Sequence, residues 1–242
     1  MLLRVLGFVL CLPLLAMADE PLRLVSDRWP PYTDSKMPGG GLAVHLVSSV
    51  LTRAGYSIEY SEVPWPRALY GVQNGEYDVL VDAWYNTERE KYGHYSQPYL
   101  VNNLRLIKRK GAPIAYERLA DLYPYRFAVV RGYAYSPAFN DDKRLRKVPV
   151  VNFANAAMMV AAGRVELTLE DELTASYQLD HELRDIRDKL EFVPRPLSEN
   201  PLYILVSRKN PDHAKIVEDF NRELAKMRAD GSYDAFMNVH LP

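Results

Sequence analysis

Few residues in this chain are arranged for covalent chemistry. The five histidines, His45, His94, His181, His213 and His240, show no His-Glu-x-x-His motif or other metal-ligand spacing, so no zinc site is indicated. There is no Gly-x-Ser-x-Gly elbow, and Gly39-Gly40-Gly41 lacks the Lys-Ser/Thr that would make it a phosphate cradle. The single cysteine, Cys11, lies in an apolar leader, which leaves no thiol nucleophile in the mature chain. What remains is recognition chemistry. Arg89, in Thr87-Glu88-Arg89, carries a planar guanidinium that can grip a carboxylate with two parallel bonds, or pair with Glu88 or Glu90 on a solvated turn. Asp171, at a strand-to-helix junction, is suited to capping the helix and to facing a cleft edge, while its neighbour Glu170 is expected at the surface. Trp29 and Trp65 sit beside Pro30-Pro31 and Pro66 rather than inside periodic apolar runs, which favours exposure into a cleft over core packing.

The elements that must position these groups alternate between β-rich runs and helical patterns, as in sheets built from βαβ units. Leu22 to Val25 is the first strand, and Leu42 to Ala54 a helix with apolar residues at helical spacing that Gly55 stops. Ser57 to Val63 alternates as a strand, Pro66 opens a helix running to Gly75, and Tyr77 to Ala83 is a strand followed by a helical turn at Thr87 to Tyr92, capped by Asn86 or Thr87. A second set begins at Leu104 to Lys110: strands at Arg126 to Val130, Val148 to Val151 and Val165 to Leu169, with helices at Asn155 to Ala162 and Glu172 to Leu179. Phe192 to Pro196 leads into a strand at Leu202 to Ser207, placed back in the first lobe, and the last long helix runs from Asp212 to Asp230, ended by Gly231. Two α/β lobes joined by two crossovers follow, 19–101 plus 201–242 and 102–200, with a cleft between them of the kind in which small ligands bind.

Composition agrees with a globular chain: 242 residues, 48% hydrophobic and 25% charged, net charge −1. With no long basic block, an extended nucleic-acid surface is not expected, and Lys108-Arg109-Lys110 and Lys143 to Lys147 read as solvated faces. Residues 1–18 have the pattern of a secretory signal peptide: Arg4, an apolar run from Val5 to Leu15, and Ala16-Met17-Ala18 as the cleavage site. Removing them takes away one positive charge and Cys11, so an exported product is expected in the periplasm at net charge −2, without disulfides.

An ordered set of motifs resembles the periplasmic solute-binding proteins of family 3, the polar amino-acid type that includes histidine- and glutamine-binding proteins. The motifs are Asp27-Arg28-Trp29-Pro30-Pro31-Tyr32; Gly75-Glu76-Tyr77-Asp78; Thr87-Glu88-Arg89 with Tyr95-Ser96-Gln97-Pro98-Tyr99; Val129-Val130-Arg131-Gly132; Gly163-Arg164-Val165-Glu166 through Glu170-Asp171-Glu172; and Met227 to Tyr233. The resemblance covers essentially the whole mature chain. It implies an α/β, two-lobed Venus-flytrap (type II) fold with two hinge crossovers, closing on one small solute, with no cofactor, no metal and no turnover. It places the ligand carboxylate on Arg89 and the α-ammonium on Asp171, from opposite lobes. Trp29 and Trp65 become walls, Trp84 and Tyr85 lie on the approach to Arg89, and Gly132 and Tyr133 form a turn that presents backbone N–H groups. The implied partners are an amino acid or other carboxylate and an ABC permease or sensor protein in the inner membrane, with the chain a monomer. Sensory ligand binding, and the related scaffold of periplasmic cyclohexadienyl dehydratases with Glu170 or Asp171 as the acid, are the alternatives. This chain departs from the family at three points: the stretch from Asp78 to Arg89 is one residue short, Trp84 and Tyr85 replace small or hydroxyl residues, and Ala134 stands where threonine is common.

Overall fold

The computed structural model describes residues 20–240, so the expected leader at 1–18 lies outside the described residues. The first half of the chain forms β1 (Leu22–Ser26), α1 (Leu42–Arg53), β2 (Ile58–Glu62), α2 (Trp65–Asn74), β3 (Val79–Trp84) and the short β4 (Gly93–Tyr95). β5 (Leu100–Arg109) leads into β6 (Arg126–Val130), α3 (Pro137–Asp141), β7 (Arg146–Val150), α4 (Phe153–Ala161), β8 (Leu167–Asp171), α5 (Glu172–His181) and α6 (Arg184–Arg187). β9 (Leu190–Ser207), α7 (His213–Ala229) and α8 (Ser232–His240) complete it.

Each half holds a parallel trio. β1 pairs in parallel with β2 and β3, and β6 pairs in parallel with β7 and β8. Two strands running between the halves join the trios: β5 pairs antiparallel with β8, β9 pairs antiparallel with β3, and the two pair with each other from Leu100 opposite Leu202 to Arg109 opposite Leu190. The sequence reading breaks this return strand between Pro196 and Leu202; the structure runs β9 through Pro194, Pro196 and Pro201 as 18 residues, with register shifts between Leu104 and Ile107 falling opposite the first two. A second departure is α8, a helix that resumes after the Gly231 stop and is tied down by the Tyr233 hydroxyl donating to the Tyr99 carbonyl at 2.6 Å.

β3 is buried on both faces, and its alternation shows how the first lobe is layered. Val79 and Val81 pack with α1 and α7 through Leu46, Val50, Phe220 and Leu224, while Leu80 packs with α2 through Ala68 and Val72. The alternation breaks at Asp82, because the register of β3 against β9 shifts between Leu80 and Ala83. In the second lobe, α4 closes over β6 through Phe153, Ala157 and Val160, and α5 over β5 and β8 through Ala175 and Leu179.

Phe220 is 0% exposed and stands edge-on to Tyr99 at 6.2 Å between ring centroids, so α7 depends on it to cover the first lobe. Phe220→Ala is expected to cost about 3 to 5 kcal/mol. Urea unfolding should show the midpoint falling at unchanged slope; a midpoint within error of the parent would mean that α7 is not anchored there.

Candidate functional site

The chemistry-bearing side chains gather where β1, β3, β6 and β8 end, the carboxyl edge at which open α/β sheets hold ligands. After β1 the chain folds back on itself, with Trp29 N–H donating to the Thr33 carbonyl at 2.7 Å, and this tight return presents the Trp29 ring. Trp65 is the first residue of α2, where Pro66 suits the first turn. Past β3, Asn86 caps a 3-10 turn, Thr87–Lys91, by accepting from Glu88 N–H at 2.8 Å, and that turn carries Arg89 inward. Beyond β6, Gly132 takes φ +81°, a conformation costly for any side-chain-bearing residue, and Tyr135 locks the turn by accepting Val130 N–H at 2.7 Å.

These segments form a narrow pocket lined by Trp29, Trp65, Trp84 and Tyr133, with Asp27, Asp82, Arg89 and Ala134. All three tryptophans of the chain are in it. Their rings form a box: Trp29 stands edge-on to Trp84 at 5.5 Å, and Tyr133 edge-on to Trp84 at 5.6 Å and to Trp65 at 5.5 Å. Each indole N–H is already engaged, from Trp29 to Glu170 Oε1 at 3.0 Å, from Trp65 to the Gly132 carbonyl at 3.1 Å and from Trp84 to Asn102 Oδ1 at 2.8 Å. The rings therefore offer apolar faces and edges rather than donors.

Arg89 is 4% exposed and donates from Nη1 to the Trp84 carbonyl at 2.8 Å and from Nη2 to the Gly132 carbonyl at 2.9 Å, with its guanidinium carbon 5.2 Å from the Trp65 ring centroid. The second of these bonds crosses from one lobe to the other. So do Trp29 to Glu170, the Tyr133 hydroxyl to Asp27 Oδ2 at 3.3 Å, and Arg28 Nη1 to Glu182 Oε2 at 3.1 Å.

Acid outnumbers base in this interior. Burial pushes the Asp27 carboxyl up to about 7 and Glu170 up to about 8. Asp82 is driven well above the ordinary carboxylate range, first by burial and then by the neighbouring charge of Asp27. Glu170 is 0% exposed, which corrects the expectation of a surface position: its neighbour across the lobe boundary is the Trp29 indole, and a residue facing inward from β8 has no route to water.

Of the residues singled out from sequence, Arg89, Trp29, Trp65, Trp84 and Tyr133 come together here, and Gly132 contributes its carbonyl rather than an N–H. Two stand elsewhere. Tyr85 is 42% exposed and packs on Tyr95, since the chain reverses direction after Trp84. Asp171 does not line the pocket; its Oδ1 caps α5 through Thr174 N–H at 3.0 Å and its Oδ2 accepts Asn103 N–H at 3.1 Å. Sequence reasoning missed Asp27 and Asp82 as cleft groups and named Glu170 only as the acid of the dehydratase alternative. Asp82 left a signal, a lone charge in the otherwise apolar run Val79–Trp84. Among the described residues no group of three or more His, Cys, Asp and Glu is placed to hold a metal ion.

Two outcomes follow for stability. Asp171→Ala removes a helix cap and strands two backbone donors, at an expected cost of about 1 to 2 kcal/mol in urea unfolding; no loss would mean that the cap is idle. Glu170 keeps its proton in the native state to about 8 and in the unfolded chain only to about 4.3, so the native state binds the extra proton and stability falls as pH rises between those values. Unfolding midpoints from pH 5 to 8 should therefore fall less steeply in Glu170→Gln than in the parent. Parallel curves would contradict the raised carboxyl.

Residues 22–241 match the family described as bacterial extracellular solute-binding proteins, family 3. The chain is 23% identical over 239 residues to the lysine/arginine/ornithine-binding periplasmic protein of Escherichia coli (strain K12), covering 90% of this chain and 86% of that one. It is 26% identical over 176 residues to the virulence sensor protein BvgS of Bordetella pertussis (strain Tohama I / ATCC BAA-589 / NCTC 13251), covering 68% of this chain but only 14% of the sensor. An ancestral arginine-binding protein bound to arginine superposes with a TM-score of 0.75 at 22% identity, covering 92% of this chain and 98% of that structure, and shares the two-lobed fold. With the family match spanning nearly all the described residues, the chain belongs to the bacterial extracellular solute-binding proteins of family 3.

Proposed function

We propose that this protein captures one small carboxylate-bearing solute, an amino acid or a derivative, between its two lobes in the periplasm and delivers it as a monomer to an ABC permease of the inner membrane, without turning it over. The lobes divide at about residues 101 and 201, where β5 and β9 pass between them. The observation that carries the reading is Arg89: a buried guanidinium at the floor of an aromatic pocket, with donors left over after its two carbonyl bonds. A carboxylate entering there meets a preformed cation in a buried site, where a charge-assisted bond is worth more than at a surface. Because Arg89 also touches the opposite lobe at Gly132, a solute held by Arg89 is in reach of both lobes, and binding favours closure. A second reading, a ligand-binding unit that reports to a membrane sensor, has in its favour the likeness to a virulence sensor protein.

A thermal-shift screen of amino acids, polyamines, dicarboxylates and aromatic acids identifies the solute, since a ligand of the native state raises the Tm by mass action. Calorimetry with that solute should then show Arg89→Ala weakening binding about ten- to a hundredfold, the equivalent of roughly 1.5 to 3 kcal/mol. Arg89→Lys should also weaken it, because an ammonium lacks the planar fork. Unchanged affinity in both variants removes the carboxylate from Arg89.

A further inference from the structure

Most side-chain bonds between the lobes are made by residues of the pocket itself. Asp27, Trp29, Trp65, Arg89 and Tyr133 all take part in such bonds, and all line the pocket. Arg28 differs. It stands between Asp27 and Trp29 in the return after β1, yet neither it nor its partner lines the pocket. Its guanidinium reaches Glu182, at the C-terminal end of α5 in the opposite lobe, with Nη1 donating to Oε2 at 3.1 Å and Nη2 donating to Oε1. Among the described residues this is the one ion pair that spans the lobes. Both partners are held ready for it. Arg28 Nη2 also lies 2.8 Å from Oδ2 of Asp34, a residue of its own lobe that is 3% exposed. Asp34 is fixed in turn, its Oδ1 accepting Lys36 N–H at 2.9 Å and its own N–H donating to the Gly40 carbonyl at 2.9 Å. Glu182 N–H donates to the Gln178 carbonyl at 2.8 Å, closing the last turn of α5, so the carboxylate is presented from a fixed helix end.

We infer that Arg28 and Glu182 are a positioning pair, an outer latch that holds the two lobes together without touching the solute. The inference rests on the lobes closing and parting, as in the proposed function, and goes beyond it by naming a contact that sets the balance between the two. Residues 154 apart in the chain and on separate lobes share a two-bonded pair only while the lobes are together, so any flexing of β5 and β9 that parts them breaks both bonds at once. The side chains are 41% and 29% exposed, so the pair is open to screening by salt and adds little to the folding of either lobe alone. The buried bonds beside the pocket are screened much less. Because the latch lies outside the pocket, it does not compete with whatever occupies the tryptophan box.

The test is quenching of tryptophan emission by acrylamide in the purified protein with no solute added. All three tryptophans line the pocket, so access of the quencher reports the lobes parting. Arg28→Gln and Glu182→Gln should each raise the quenching constant about twofold or more. The double variant should quench no more than the stronger single one, because a latch is broken only once. Glu182→Gln, which leaves Arg28 with Asp34, should keep the urea midpoint of the parent. In about 1 M NaCl the parent should quench like Glu182→Gln. Should Arg28→Gln not fold, Glu182→Gln and the salt series on the parent carry the same test. Equal quenching in the parent and the single variants overturns the inference, as does a double variant in which the two effects add. A urea midpoint that falls in Glu182→Gln also overturns it, since the pair would then hold the fold rather than the lobes. With no solute present, a failed solute screen leaves this result standing, and a failed latch leaves the carboxylate at Arg89 untouched.

Discussion

The Gly132 carbonyl is the point on which the cleft turns. It accepts the Arg89 guanidinium and the Trp65 indole together, and it belongs to the opposite lobe from both. Gly132 reaches that position because a left-handed φ lets the chain reverse directly after β6, which aims the carbonyl back across the gap. Arg89 is thus tied at one end to its own lobe through Trp84 and at the other to its partner lobe. A side chain so held has a fixed orientation, and a fixed orientation is what turns a guanidinium from a mobile charge into a recognition element.

Around that tie the cleft groups are buried, and burial sets their electrostatics. Three carboxyls that would be ionised in water are held toward their protonated forms by burial, and two of their oxygens find no donor. The same burial strengthens any charge pair formed there, so a ligand able to satisfy these oxygens gains more than it would on a surface. The lobe-crossing contacts through Trp29, Arg28 and Tyr133 then couple the ligand site to the relative position of the lobes. β5 and β9, the two long strands that link the halves, are where the chain flexes if the lobes part.

Much of this was legible in the sequence, for reasons that differ by element. α1 and α7 announce themselves because their apolar residues recur at helical spacing, and β3 because a both-faces-buried strand is a short apolar run. The motif order located Arg89 and the three tryptophans. What escaped was whatever depends on long-range pairing: β9 as one strand through three prolines, α8 beyond a glycine stop, and the inward face of Glu170, which is set by a partner 141 residues away. Asp171 takes the helix-capping role that its strand-to-helix junction suggested, with each oxygen accepting a backbone N–H. Asp82 shows the converse, a charge whose strangeness in an apolar strand was visible but whose direction depended on a register shift.

Because every tryptophan of the chain lines the one pocket, intrinsic fluorescence reports the cleft directly. Titrating the purified protein with its calorimetrically identified solute should give a saturable change in tryptophan emission whose midpoint equals the calorimetric Kd. A solute that binds by calorimetry yet leaves the emission spectrum untouched would place the binding site elsewhere and contradict the account.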